Sequence, residues 1–173
     1  NTMPKGVLCC HADVREPQAA HSAVDKFVSH YQGIDMLVNC AGVSLWKDFL
    51  DMDEQFWDLI YDVNVKGTFL VSQAAARVMV KQKEGIILNV ASMSGLKSGM
   101  PGASAYASSK WAIVGFSRNL HLELKQHGIK VGCFCPGSTV TPLHLSAGSA
   151  DIDKMLTVEE VAERWSGVTV EPG

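Results

Sequence analysis

The chain has 173 residues, 47% of them hydrophobic and 19% charged, with a formal net charge of -3. That composition, with Gly 15 and Pro 6, excludes a collagen-like, disordered or low-complexity chain and suits one domain of ordinary globular type. The weak, scattered charge leaves no electrostatic footprint for nucleic acid or an anionic membrane surface.

No apolar run reaches membrane-spanning length: the best, from Phe69 to Val80, is interrupted by Ser72, Gln73 and Arg77. The five cysteines are odd in number and sit in strand-like runs without metal-ligand spacing. They read as free, buried thiols of a reduced cytoplasmic protein.

Short apolar runs alternate with long amphipathic ones, which predicts an α/β fold with a parallel sheet. Residues Gly6 to Ala12 form the first strand candidate, and Asp13-Val14 follows. From Pro17 to Tyr31 the apolar residues Ala20, Val24, Phe27 and Val28 recur at helical steps, and Gly33 ends the pattern. Ile34 to Asn39 is a buried strand that opens into Cys40-Ala41-Gly42. A long helix is expected from Asp53 to Lys83, a strand from Gly85 to Val90, and a second long helix from Ser104 to His127, closed by Gly128. A strand from Ile129 to Cys135 ends at Pro136-Gly137. A short helix from Thr157 to Trp165 and a last strand at Val168 to Val170 complete the pattern. There is no internal repeat and no linker, so residues 1–173 read as one domain.

Ligands of open α/β sheets bind beyond the carboxyl ends of the strands. That rule selects Asp13-Val14, Asn39 to Gly42, Ser92 to Gly95, and Pro136 to Thr141, which should meet at one crevice. Within Ala105-Tyr106-Ala107-Ser108-Ser109-Lys110, Tyr106 and Lys110 are four apart and share a helix face. An ammonium beside a phenol favours the phenolate, and a phenol so placed can exchange a proton with a substrate oxygen. Ser92, at a strand end, can reach the same oxygen. Taken singly these residues have plainer readings. Asn64 can break its helix locally, and Asp13 can cap the helix after it. His144 and the apolar Trp46, Met93, Met100, Leu143 and Leu145 lie near the proposed crevice, the apolar ones as a possible substrate wall.

Together, the residues resemble the short-chain dehydrogenase/reductase family over nearly the whole chain. Asn39-Cys40-Ala41-Gly42 resembles the family's Asn-Asn-Ala-Gly turn, with Cys40 in the second position. Asn64, Ser92, Tyr106 and Lys110 match its catalytic set, and Pro136-Gly137-Ser138-Thr139-Val140-Thr141 resembles its Pro-Gly turn. The resemblance implies a Rossmann-like, doubly wound parallel sheet and hydride transfer between NAD or NADP and a carbonyl or secondary-alcohol substrate. It assigns Tyr106 as general acid/base. Lys110 lies at the ribose, Ser92 at the substrate oxygen and Asn64 at a relay water. Cofactor contacts are implied at Asp13 and Val14 on the adenine side, at Asn39, Ala41 and Gly42, and at Pro136, Gly137, Thr139 and Thr141 beside the carboxamide. Pairing through the two long helices implies a homodimer or homotetramer.

The family's Gly-rich phosphate turn is not present before Asp13. If Gly6 to Ala12 is the family's third strand, its first two strands are missing from this sequence, and the sheet is incomplete at the N-terminus. A strand at residues 6–12 would then lack a neighbour for its amides. Two readings follow: part of a complete enzyme, or a truncated, non-catalytic relative acting as a structural or oligomerisation subunit.

Overall fold

A computed structural model describes residues 6–97, 99–139 and 159–160. Three parallel strands, β1 (Met36–Asn39), β2 (Gly85–Val90) and β3 (Ile129–Phe134), form one sheet in that order. Leu37 is opposite Ile87, and Ile87 opposite Val131, so side chains of one parity make a continuous apolar face. Helices α1 (Pro17–Tyr31), α2 (Glu54–Tyr61), α3 (Gly67–Gln82) and α4 (Ser104–Leu124) alternate with the strands. The result is a Rossmann-like α/β fold with a parallel sheet.

Val24 of α1, Ala74, Ala75 and Met79 of α3, and Ile34, Ile87 and Ile129 at the sheet are buried in one cluster, against which Leu120 and Leu124 of α4 pack. All three long helices therefore feed the same face of the sheet. On the opposite face, Met36, Val38 and Ile86 remain substantially exposed, and no described helix covers them. A second cluster, Ala91, Ile113 and Val114, joins α4 to the carboxyl end of β2.

Several boundaries follow from local chemistry. Pro17 opens α1 with its preset φ. Asp53 caps α2 by accepting from the Phe56 amide at 2.7 Å. Gly128 holds φ +77 where α4 gives way, through a short 3-10 turn (Lys125–His127), to β3. A side chain there would collide with the Lys83 carbonyl, so glycine is required on two counts. The expected strand from Ile34 begins two residues later, because the Gln82 carboxamide takes over its start. It accepts from the Ile34 amide at 2.9 Å and donates to the Ile34 carbonyl at 3.0 Å.

Two expectations are corrected. Residues 6–12 do not form a strand: the segment is without ladder bonds, and Val7 is 51% exposed. No described strand lies beside it to take its amides; instead the Tyr31 hydroxyl accepts from the Leu8 amide and donates to the Gly6 carbonyl. The single helix expected from Asp53 to Lys83 is two helices joined by a π-helical turn (Asp62–Lys66), with Asn64 buried inside it. Such wide turns recur at functional sites. The C-terminal helix and strand expected after Thr157 fall largely outside the described residues, with Glu159 and Glu160 helical.

Candidate active site

The loops after β1, β2 and β3 converge on a cleft of about 340 Å³. Two backbone bonds lock the second loop to the third: Ala91 donates to the Phe134 carbonyl at 2.7 Å, and Met93 to the Pro136 carbonyl at 2.8 Å. Gly42, Ser92, Tyr106, Lys110, Pro136, Gly137 and Thr139 all line the cleft. Thr141, His144, Leu143 and Leu145 lie outside the described residues.

Ser92 follows β2 in extended conformation and caps a short 3-10 turn (Met93–Gly95). Its Oγ accepts from the Ser94 amide at 3.1 Å. That bond occupies a lone pair and leaves the hydroxyl proton available for a ligand. Tyr106 and Lys110 stand one turn apart on α4, with the ammonium 5.8 Å from the Tyr106 ring centroid. Gly95 allows this helix to sit close: a methyl group there would lie 2.6 Å from the Lys110 carbonyl oxygen.

Lys110 is 7% exposed, yet among the described residues no carboxylate pairs with it. Its Nζ donates one hydrogen bond, to the Val90 carbonyl at 3.1 Å. Burial pushes its pKa below the ordinary lysine value, and the thiols of Cys40, Cys133 and Cys135 nearby offset this only in part. An ammonium has three donors, and the described residues use one of them.

Asn64 supports this centre from behind. Its Oδ1 accepts from the Val43 amide at 2.8 Å, while Nδ2 donates to the Val43 carbonyl and to Ser109 Oγ, both at 3.0 Å. Ser109 in turn donates to the Tyr106 carbonyl at 2.7 Å. A methyl group on Gly42 would lie 3.2 Å from Asn64 Oδ1 and 3.6 Å from Lys110 Nζ. Glycine keeps open the space that those two atoms share.

Other candidates stand apart from the cleft. Asn39 points into the core, where Nδ2 donates to Ser72 Oγ and Asn89 Oδ1, both at 2.8 Å. Asn89 passes the chain on to Ser117 Oγ at 2.9 Å. Asp13 does not cap α1, whose N-cap is Glu16. Its carboxylate folds back on the Arg15 guanidinium and amide, which hold its pKa down to about 2. Val14 packs against the start of α3 at Gly67. Ala41 is exposed beside the cleft.

Sequence reasoning missed Val43 and Ser44 in the cleft wall and Ser109 behind it, and it had Ser138 only as part of the selected loop Pro136 to Thr141. Ser109 had one usable signal, a small polar residue three positions after Tyr106; Val43 and Ser44 had none, because tertiary folding alone turns them toward the other loops. The cysteines are only partly as expected. Cys9, Cys10 and Cys40 are exposed, while burial pushes the Cys133 thiol up to about 11. Among the described residues no group of His, Cys, Asp and Glu is placed to hold a metal, and no helix is long and apolar enough to cross a membrane.

The short chain dehydrogenase family pattern matches residues 1–151. The chain belongs to that family. The short-chain reductase protein NovJ of Streptomyces niveus is 38% identical over 163 residues, covering 94% of this chain and 55% of NovJ. Two solved structures superpose well: ElxO with NADP bound (TM-score 0.80, 26% identity, 93% of this chain and 70% of that one) and NAD+-bound xylitol dehydrogenase (TM-score 0.78, 26% identity, 90% and 69%). The chain spans about half the length of the curated relatives it matches.

Proposed function

We propose that this chain provides the catalytic centre of an oxidoreductase that moves a hydride between NAD or NADP and a carbonyl or secondary-alcohol substrate. One observation carries the reading: a buried lysine with no carboxylate partner among the described residues, lining a cleft one helical turn from a tyrosine in the same wall. A cation so placed is costly unless a ligand uses it. The cleft fits the nicotinamide end of a dinucleotide, since Lys110 offers donors to a ribose diol and Gly42 leaves the approach open. Solved relatives with NADP and with NAD+ support either form of the cofactor.

When bound, the nicotinamide supplies or accepts the hydride. The chain's own residues do the rest. Ser92 donates its free hydroxyl proton to the substrate oxygen and orients it, as a donor aimed at developing charge. Tyr106 gives that oxygen its proton in reduction and removes it in oxidation. Lys110 holds the ribose hydroxyls beside Tyr106. Asn64 stations a water behind Lys110, using the Oδ1 lone pair that Val43 leaves free. Pro136, Gly137, Thr139 and Thr141 hold the carboxamide, Asn39, Ala41 and Gly42 border the nicotinamide riboside through their backbone, and Asp13 and Val14 face the adenine. A groove between α3 and α4, lined by Phe69, Val80, Phe116 and Leu120, supports pairing into a homodimer or homotetramer.

The test is a fluorescence titration of the protein with NADH and NADPH, followed by turnover of Tyr106→Phe. Saturable binding with turnover reduced roughly 10²–10⁴-fold in the variant is the expected result. Absence of binding to either nucleotide would leave the catalytic residues without a use and favour a structural or oligomerisation subunit.

A further inference from the structure

Part of the cleft wall is apolar. Val43, Trp46, Met93 and Met100 line it, and the single charge among all the described lining residues is Lys110. Lys110 is committed to Val90 on one side and to the cofactor on the other. The basic residue nearest in sequence to Trp46 is Lys47, and it is engaged elsewhere: its ammonium pairs with Asp53 at 2.8 Å and lies 5.5 Å from the Phe56 ring centroid.

The two loops that carry the apolar wall are tied together. The Lys47 amide donates to the Gly102 carbonyl at 3.0 Å, linking the Trp46 loop to the Met100 loop. Within the first loop, Trp46 Nε1 donates to Ser44 Oγ at 3.3 Å, and Ser44 is 5% exposed. An indole has one donor. With that donor spent on a buried hydroxyl, Trp46 asks nothing polar of a substrate and presents apolar ring surface to it.

We infer that the substrate is an uncharged, apolar ketone or secondary alcohol about the size of one ring, and that Trp46, set by Ser44, selects for it. The inference rests on the oxidoreductase reading and deepens it. Size follows from volume: the cleft between the described residues holds about 340 Å³, and the nicotinamide ring must share it. Charge follows from the lining. A carboxylate or phosphate would be stripped of water against Trp46, Met93 and Met100 with no free cationic partner among the described lining residues, an arrangement proteins avoid.

The deciding comparison uses methylcyclohexanone and the same ring with a carboxylate replacing the methyl group. With NADPH or NADH, kcat/KM should favour the methyl ketone on the order of 100-fold. Trp46→Ala should erase most of that preference by raising KM for the methyl ketone alone, and Trp46→Phe should keep it. Saturation-transfer NMR on the same full chain reads binding without turnover, and should show the same order and the same loss in Trp46→Ala. Equal use of the two ketones, preference for the carboxylate, or binding of neither overturns the inference. Selective, Trp46-dependent binding without turnover would uphold the inference and sink the catalytic reading.

Discussion

Asn64 grips the Val43 peptide from both sides, accepting from its amide at 2.8 Å and donating to its carbonyl at 3.0 Å. A carboxamide so used behaves like a short piece of strand. It fastens the loop after β1 to the π-helical turn between α2 and α3, and its remaining proton reaches Ser109 on α4. The loop after β1 and helix α4, both in the cleft wall, thus meet at one buried side chain.

Asn64→Leu keeps the branching of the side chain and removes all three bonds. Buried partners left unsatisfied cost about 1–3 kcal/mol each, so chemical denaturation should show a loss of about 3 kcal/mol. Nucleotide affinity should fall with it, because the Gly42 turn loses its anchor.

Lys110→Met should separate stability from function. Lysine burial lowers the pKa in the folded state, so the folded chain binds fewer protons than the unfolded one between that value and the ordinary lysine value of about 10.4. Stability of the natural protein therefore rises with pH through this window, and the cost of the buried charge is fully present below it. At neutral pH the variant should melt at the same temperature or higher, with no turnover. Its advantage should shrink as pH approaches 10. A variant that melts well below the parent at pH 7 would show that the Val90 bond outweighs the burial cost.

Gly42→Ala places a methyl group between Asn64 Oδ1 and Lys110 Nζ. The backbone there is not in the left-handed region, so folding should change by less than about 1 kcal/mol. Nucleotide affinity, measured by fluorescence titration, should drop at least tenfold if that space belongs to the ligand. Unchanged affinity would place the ligand elsewhere.

The Asn39–Asn89 bond makes a thermodynamic prediction. Either Asn→Leu change alone should cost about 2 kcal/mol, since it leaves the other carboxamide short of a buried partner. The double variant should cost less than the sum, a coupling that a double-mutant cycle measures directly.

Much of this molecule was legible in the order of its residues. Helical spacing of Ala20, Val24 and Val28 marked α1, and the run from Gly85 to Val90 coincides with β2. Gly128 marked the end of the helical region that begins at Ser104. Tyr106 and Lys110 followed from a four-residue step, and Ser92 from its place at a strand end. These are local properties: propensity, periodicity and termination act over a few residues, so sequence alone determines them.

Tertiary structure decided what depends on neighbours. Residues 6–12 have the composition of a strand, yet a strand forms only where another chain segment takes its hydrogen bonds, and none of the described strands does. Asn39 matched a cofactor-turn motif, but only the fold reveals that its carboxamide joins Ser72 and Asn89 in the core. Asn64 left two readings open in the sequence, and the structure shows its local setting: it lies in a widened helical turn and clamps Val43 across 21 positions of sequence. The uncharged wall of Val43, Trp46, Met93 and Met100 is assembled from loops some 50 residues apart. No local pattern encodes such a surface, because its chemistry exists only once the sheet has brought those loops together.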